Sequence, residues 1–182
     1  FPLLGEVPEE LTICGSEEQL EGCCGKIVIC ERNPKNKKSG VLYLLPRNLY
    51  VGMGCKKGTA KEILEAELLK TLEKHGFLPE QIRALGSIDL KREEDGLLEL
   101  ADSLGVEFLT YSAESLQEIL AVSSSSEFVR GVTGVDNVCE RAAKKMCPEG
   151  VMVQEKVCLN QCTAAVVCGE VMVRFGKEEE ER

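Results

Sequence analysis

The chain has 182 residues, of which 43% are hydrophobic and 29% charged, and its formal net charge at pH 7 is −9. This length provides one domain with a substantial core and an additional segment, while the negative charge argues against a general nucleic-acid-binding protein. No apolar run approaches the roughly 20 residues that a membrane-spanning helix needs, and no signal peptide opens the chain. We therefore expect a cytoplasmic protein without nucleic-acid or membrane partners. Because the chain begins at Phe1 rather than Met, we also expect a fragment of a longer protein.

Residues 1–47 are predicted to form a small βαββ segment. Its predicted elements are a strand at 11–14, a short acidic helix at 16–20, and strands at 26–30 and 41–45, the last ended by Pro46. Residues 33–40 have the composition of a turn. A segment of this size buries too little apolar surface to be stable alone, so we expect it to pack on the remainder or to be the tail of a larger domain.

From Asn48 onwards the hydrophobic pattern alternates between strands and helices. Strands are predicted at 49–51, 84–90, 106–110, 151–159 and 163–175, and helices at 60–75, 79–83, 95–104, 112–120 and 137–146. Gly76 and Gly105 are expected to end two of the helices, and the highly charged tail at 177–182 is expected to be disordered. Repeated βα units and a terminal hairpin predict an α/β fold, a three-layer α/β/α sandwich with a mixed sheet.

A glycine-rich stretch follows the predicted strand at 49–51. It contains the candidate ligand-binding residues Gly52, Gly54, Cys55, Lys56, Lys57, Gly58 and Thr59. Thr59 is expected to cap the next helix together with Glu62, and the backbone N–H groups at such a helix start favour an anion. The expected helix start and the two lysines predict a lowered pKa for Cys55. The stretch matches neither a Walker loop, because no lysine follows Gly58, nor a dinucleotide fingerprint, because Lys57 stands where glycine is required.

Basic residues are concentrated around this stretch. Between Glu31 and Glu62 there are eight lysines and arginines and no acid, which favours a local site for a small polyanion. A solvated hairpin turn at 33–38 is an alternative explanation for part of that charge. It does not explain Arg47, Lys56 or Lys57, which flank the glycines, so Arg47 is added to the candidate ligand-binding residues.

Three further candidates lie after predicted strands or in a polar loop. Asp89 and Lys91 follow the strand at 84–90, where α/β sheets place ligand residues; the alternative is a solvated loop with helix-capping acids. Ser126 ends the polar run at 122–126, which either supplies hydroxyl donors or is a mobile loop.

The ten cysteines and the single histidine do not match a common metal or catalytic pattern. There is no C-x-x-C, and the spacing of Cys158, Cys162 and Cys168 fits no common cluster. Without a secretion signal a disulfide framework is not expected, so mostly structural, reduced thiols are predicted. A redox or metal protein using the region of Cys158–Cys168 remains an alternative. His75, at a helix end, is predicted to partner terminal carbonyls.

Residues 51–59, V-G-M-G-C-K-K-G-T, closely resemble the V-G-I-G-C-R-R-G-T signature of the cobalamin-biosynthesis proteins CbiG and CobE. Further resemblances follow in order: residues 82–91 to I-R-A-L-A-T-I-D-L-K, 96–101 to G-L-x-x-L-A, 126–129 to S-x-F-V, 134–143 to G-V-x-S-V-A-E-x-A-A, and Lys156 with 163–166 to a lysine strand and T-x-A-V-A. The resemblance implies a CbiG/CobE C-terminal domain at 47–176, preceded at 1–46 by the end of the CbiG middle region. Cys139 and Asn137 stand where the family more often has alanine and serine.

The resemblance implies a role in the anaerobic corrin-ring pathway. Full-length CbiG is the cobalt-precorrin-5A hydrolase, which opens a lactone on the macrocycle and releases acetaldehyde. The implied partner is a cobalt-precorrin intermediate, with cobalt present only as part of the substrate and no separate cofactor. The N-terminal CbiG domain lies outside this chain, so no catalytic residue is assigned. A non-catalytic CobE-like carrier is the alternative, and contacts with other corrin-pathway enzymes and a homo-oligomer are left open.

Overall fold

The computed structural model describes residues 1–119 and 136–176. The strands are β1 (Leu3–Leu4), β2 (Lys26–Ile29), β3 (Val41–Leu44), β4 (Leu49–Cys55), β5 (Ile82–Ile88), β6 (Glu107–Tyr111), β7 (Val151–Cys158), β8 (Cys162–Cys168) and β9 (Val173–Arg174). The α-helices are α1 (Lys61–Lys74), α2 (Asp95–Leu104), α3 (Ala113–Gln117) and α4 (Val138–Met146), and 3-10 turns span Glu17–Leu20, Pro79–Gln81 and Asp89–Lys91. In these ranges no helix is long and apolar enough to cross a membrane.

Five strands form the central sheet in the order β6-β5-β4-β8-β7. Strands β4, β5 and β6 are mutually parallel, whereas β8 is antiparallel to both β4 and β7. The parallel strands are joined through helices and β7 and β8 by a tight hairpin, as the alternating pattern predicted. The predicted α/β fold with a mixed sheet is therefore confirmed.

Helices cover both faces of this sheet. Alternate side chains of β4, at Leu49, Val51 and Met53, point into a core shared with α1 and α2, as the period of two in a strand requires. Helix α4 packs on the opposite face, against β4, β5 and β8. It approaches so closely that a Cβ at Gly52 would lie 1.8 Å from the carbonyl oxygen of Cys139. Gly52 is therefore a packing residue for α4.

Several helix boundaries follow their predicted signals. Gly105 ends α2 in the left-handed conformation with φ +61°, and Gly76, with φ +73°, follows α1, as predicted. The Ser112 hydroxyl accepts a hydrogen bond from Ser115 N at 3.2 Å and so caps α3. Asn137 caps α4, its side-chain oxygen accepting from Glu140 N. The predicted loop at 122–126, including Ser126, and the predicted disordered tail at 177–182 lie outside the described residues.

The segment before the sheet differs from its prediction. The predicted strand at 11–14 is absent: Leu11 and Ile13 are about half exposed and have no partner strand among the described residues. The strands β2 and β3 pair in parallel, so the connection at 30–40 is not a hairpin. It crosses to the end of α1, where Asn33 N donates to Gly76 O at 2.8 Å, and the chain then returns in its original direction.

The C-terminal strand is also shorter than predicted. The predicted strand at 163–175 ends at Cys168, and Gly169 N still donates to Asn48 O at 2.8 Å, one position beyond the last pair with β4. The chain then pairs β9 with β1 in a separate two-stranded sheet. The two terminal segments described by the structure thereby stabilise each other outside the central sheet.

Candidate functional site

A cavity of about 790 Å³ opens at the carboxyl ends of β4 and β5. This is the edge of an open α/β sheet at which ligands usually bind. Its lining comes from strands β4, β5, β7 and β8, from the segments that follow β4, β5 and β7, and from the start of α4. The lining residues are Gly54, Cys55, Lys56, Lys57, Ser87, Ile88, Leu90, Lys91, Glu93, Glu94, Val138, Lys156, Cys158, Leu159, Gln161, Cys162 and Thr163.

The glycine-rich stretch is mostly strand rather than turn. Strand β4 continues to Cys55, with Gly52 opposite Ala165 and Gly54 opposite Thr163 of β8. The prediction of a strand ending at residue 51 was therefore wrong. The alternating glycines are explained by close packing, because a Cβ at Gly54 would lie 3.0 Å from the Thr163 hydroxyl. The backbone of these two glycines belongs to the ladder, and the actual turn comes after Cys55.

The turn at Lys56–Gly58 is held by hydrogen bonds to the β7–β8 connection and to Thr59. Lys56 N donates to Gln161 O at 2.9 Å, and the Thr59 hydroxyl donates to Lys56 O at 2.8 Å. Gly58 has φ +73°, a conformation that favours glycine. Thr59 is buried and does not cap α1: Ala60 occupies the N-cap position without a side-chain cap. The predicted capping box with Glu62 was therefore wrong.

Glu94 fixes the turn from the neighbouring segment. Glu94 is only 8% exposed. Its carboxylate accepts a hydrogen bond from Gly58 N and forms an ion pair with Lys91 at 2.7 Å. Burial acts to raise the pKa of Glu94, but the hydrogen bonds from Lys91 and Gly58 and the charges of Lys91 and Lys57 outweigh it and lower that pKa. The Gly58 N–H, which sequence reasoning offered to an anionic ligand, is thus used by Glu94.

Cys55 has a raised pKa in this setting. Burial raises its pKa more than the nearby Lys91 lowers it. The predicted lowering assumed that Cys55 stands at a helix start, whereas α1 begins at Lys61 and Cys55 ends a strand. Cys162, directly opposite on β8, also lines the cavity, and burial raises its pKa to about 11.

Four lysines are distributed along the cavity. Lys91 follows β5, Lys56 and Lys57 follow β4, and Lys156 lies on β7. From β5 to β7 there are three strand spacings, or about 14 Å. Within residues 1–119 and 136–176, Lys56, Lys57 and Lys156 make no ion pair. The arrangement suits an anion with several separated charges better than a single small one.

Five of the predicted site residues that the structure describes do not line the cavity: Arg47, Gly52, Gly58, Thr59 and Asp89. Arg47 lies before β4, at the opposite end of the sheet, where it donates to Ile82 O and Gly105 O at 3.2 Å each. Asp89 pairs with Arg92 at 2.8 Å and does not line the cavity. Arg47 was a candidate because it flanks the glycine-rich stretch in the sequence, but a strand of seven residues separates it from Lys56. Asp89 was a candidate because it follows a predicted strand.

Other lining residues were not named as site residues from the sequence. Glu94 stands three residues after Lys91, a spacing that allows an ion pair within one turn. Lys156 follows Gln154 and Glu155 in β7, and its place in the motif resemblance was the available signal for it. Ser87 and Thr163 carried no residue pattern that marks a site, because no spacing rule identifies a functional hydroxyl on a strand. Ser87 is buried and donates to Met53 O at 2.7 Å.

The histidine and the cysteines show no metal-binding arrangement in the described parts of the chain. His75 Nε2 lies 2.7 Å from Gln154 Oε1, at the end of α1 away from the cavity. All ten cysteines are free thiols. Across the described residues no group of three or more His, Cys, Asp or Glu side chains is arranged to hold a metal ion.

The family model described as "Cobalamin synthesis G C-terminus" matches residues 49–167, which contain the whole central sheet and the cavity. The chain belongs to this family. The resemblance inferred from the motifs is therefore confirmed, and the match begins at the first residue of β4.

Curated relatives carry two different names. A cobalt-precorrin-5A hydrolase from Priestia megaterium is 38% identical over 122 residues, which are 64% of this chain and 32% of that protein. A second, from Salmonella typhimurium, is 37% identical over 100 residues, 55% of this chain and 28% of that protein. Protein CobE from Sinorhizobium sp is 31% identical over 120 residues, 65% of this chain and 78% of that protein. This chain of the CbiG C-terminal family thus spans about a third of the hydrolases it matches.

Solved structures agree with this assignment. The crystal structure of CobE, from the cobalamin biosynthetic pathway, has a TM-score of 0.62 and 28% identity, and the match covers 66% of this chain and 92% of that one. A cobalamin biosynthesis protein G homolog from Sulfolobus solfataricus has a TM-score of 0.55, with 92% of this chain and 50% of that chain covered. At 22% identity this second likeness concerns the fold alone.

Proposed function

We propose that this chain is the corrinoid-binding C-terminal part of a cobalt-precorrin-5A hydrolase, working in the cytoplasm. The observation that carries the proposal is the row of Lys91, Lys56, Lys57 and Lys156 along one cavity. A cobalt-precorrin has acetate and propionate carboxylates around its macrocycle. Separated ammonium groups meet such a rim at several points, and each close ammonium–carboxylate contact is a charge-assisted hydrogen bond.

The cavity walls suit the rest of such a ligand. Ile88, Leu90, Val138 and Leu159 present apolar side chains between the lysines. Ligand sites in general combine an apolar lining with a few placed polar groups. The macrocycle would contact the apolar walls while its peripheral carboxylates contact the lysines.

The same residues argue for binding rather than for lactone opening by this chain alone. A general acid or base works best with a pKa near the operating pH. Glu94 has a lowered pKa and is engaged with Lys91 and Gly58, while the thiols of Cys55 and Cys162 have raised pKa values. We therefore assign corrinoid binding to this chain and the hydrolytic groups to the remainder of the hydrolase.

A non-catalytic carrier of the CobE type is the second candidate. This candidate is supported by the share of each relative that the chain matches, which is 78% of Protein CobE but only 32% of the Priestia hydrolase. A carrier needs the same carboxylate-binding cavity, so the two candidates differ in catalysis and not in ligand class.

Calorimetric titration with a cobalt corrin polycarboxylate tests the proposal. Binding is expected for the polycarboxylate, with much weaker binding for the corresponding corrin amide, which lacks the negative charges. Equal binding of both ligands, or of neither, would overturn the carboxylate-binding function. The amide is the matched control, because it keeps the macrocycle and the cobalt.

An acetaldehyde assay with cobalt-precorrin-5A separates hydrolase from carrier. This chain alone is expected to bind without releasing acetaldehyde, and the longest natural protein that contains it is expected to release it. Binding without release by that longer protein would favour the carrier. Release by the chain alone would contradict our placement of the hydrolytic groups outside it.

A further inference from the structure

Strand β7 contains a bulge beside the cavity. Its register with β8 changes between Gln154, opposite Val166, and Val157, opposite Ala164. Three steps along β7 therefore match two steps along β8, which leaves one extra residue on β7. Bulges of this kind are common next to functional sites, where they redirect a side chain.

The bulge contains Lys156, whose backbone is held by a buried acid. Lys156 N donates to Glu140 Oε1 at 2.6 Å. Glu140 is 1% exposed and lies in the first turn of α4, on the helix that packs against Gly52. The hydrogen bond connects the edge strand to α4, so the position of Lys156 depends on a residue from another layer of the fold.

The side chain of Lys156 is half-buried and lines the cavity. It is two strand spacings from β4, about 10 Å, on the side away from Lys91. Within the described parts of the chain it makes no ion pair. Lys156 therefore offers an ammonium group from a different wall of the cavity than Lys56 and Lys57, where a second carboxylate of the same ligand can bind.

We infer that Lys156 is a specificity-determining residue that binds a second carboxylate on the opposite side of the macrocycle from the one held by Lys56 and Lys57. Glu140 is its positioning residue, acting through the backbone of the bulge. This inference rests on the proposed function. It adds that the cavity distinguishes corrinoids by where their carboxylates lie, because only a ligand charged on both sides contacts both groups of lysines.

The test compares the affinity of a cobalt corrin polycarboxylate for lysine variants of the chain. Lys156→Met is expected to weaken binding by about tenfold or more, since a hydrogen bond to a charged group is lost, and to make binding less dependent on salt. Lys156→Arg, which keeps the charge, is expected to retain most of the affinity. Lys74→Met is the control, because Lys74 is an exposed lysine at the far end of α1.

The positioning role of Glu140 is tested by two substitutions with opposite expectations. Glu140→Gln keeps an oxygen acceptor for Lys156 N and is expected to bind nearly as well as the wild type. Glu140→Ala removes it and is expected to approach the loss seen for Lys156→Met. Thermal unfolding identifies variants that fail to fold, and for those the comparison rests on Lys156→Met against Lys156→Arg.

The outcomes distinguish this inference from the function on which it rests. If the wild type binds the polycarboxylate and Lys156→Met binds it equally well, the inference is overturned and the proposed function is retained. Equal weakening by Lys74→Met would likewise overturn it, since the effect would then reflect total charge. If the wild type does not bind the polycarboxylate, the proposed function and this inference both fail.

Discussion

Basic residues lie at both ends of the parallel strands of the central sheet, but they have different roles. These two strand ends are called the first edge, where β4 begins, and the second edge, where β4 ends. At the edge where β4 begins, Arg47 donates to carbonyls at the ends of two elements, Ile82 and Gly105. In the same part of the molecule Arg32 donates to His75 O and lies 4.6 Å above the ring of Phe77. At the edge where β4 ends, the lysines line an open cavity.

The helix directions explain the difference. Helices α1 and α2 end at the first edge, where their last carbonyls accept hydrogen bonds and attract cations. They begin at the second edge, where their free groups are N–H donors, which do not attract lysines. Cations at the first edge are therefore used by the fold, whereas Lys56, Lys57 and Lys156 at the second make no ion pair among the described residues and remain available to a ligand.

The largest expected effect on stability comes from the close packing of α4 on Gly52 of β4. Gly52→Ala places a Cβ against the backbone of Cys139 and Ala143, so α4 must move, and we expect a loss of about 3 kcal/mol in the free energy of unfolding. Gly58→Ala meets no atom within 4 Å and is strained only by its φ of +73°, so a loss of about 1 kcal/mol is expected. Urea denaturation measures both. Equal losses would show that α4 does not depend on Gly52.

The next prediction compares the two edges directly. Lys56→Gln with Lys57→Gln is expected to reduce affinity for a corrin polycarboxylate by about 10- to 100-fold with little change in stability. Arg47→Gln is expected to leave that affinity unchanged and to lower the free energy of unfolding by about 1 kcal/mol. Titration calorimetry and urea denaturation provide the two readouts.

A control pair keeps the charge change constant. Lys35→Gln with Lys37→Gln removes two exposed positive charges from the segment before the sheet and is expected to leave the affinity unchanged. If Arg47→Gln weakened binding as strongly as the double lysine variant, the distinction between the edges would be wrong.

A smaller effect is expected from the Glu94 carboxylate that holds the lysine turn. Because its pKa is lowered in the folded chain, its contribution to stability is present above the ordinary value of 4.5 and is lost as the pH falls through the folded-state value. Glu94→Gln should therefore show a shallower loss of stability below pH 4.5 than the wild type. Thermal unfolding across acidic pH measures this, and parallel curves would contradict it.

The last prediction concerns the buried thiol where α4 begins, and its effect is confined to alkaline pH. Burial raises the pKa of Cys139 to about 11, from an ordinary value of 9.0. Its contribution to stability is therefore present below pH 9 and decreases as the pH rises towards 11. Cys139→Ala should lose less stability than the wild type over that interval, measured by urea denaturation at alkaline pH. If the substitution left the slope of stability against pH unchanged, the thiol would ionise as easily in the folded chain as in the unfolded chain.

The central domain was largely predictable because its signals are local. Apolar alternation and helical periodicity located β4 to β6 and α1 to α4, and Gly76 and Gly105 ended two helices as expected. The leading segment was less predictable. No residue of 1–47 is buried, so apolar residues there do not report a core, and the direction of β3 depends on contacts between residue 33 and the end of α1.

The candidate site was predicted in part. Lys56, Lys57 and Lys91 do line the cavity, because strand ends in an α/β sheet meet at one edge. The pKa of Cys55 was predicted in the wrong direction, since its burial depends on packing against α1 and α2 that no spacing rule describes. Glu94 and Lys156 join the cavity from separate elements, and their partners, Gly58 and Glu140, are distant in the chain.

The sequence by itself determined the family, the alternation of strands and helices and the position of a basic, glycine-rich stretch, because each is written in residues that are neighbours along the chain. The tertiary structure decided which of the cations are available. Arg47 and Lys56 are nine residues apart and similarly charged, yet a strand places them at opposite edges of one sheet. One edge presents the carbonyls of Ile82 and Gly105, which bind Arg47, and the other presents helix N–H groups, which leave Lys56 to a ligand.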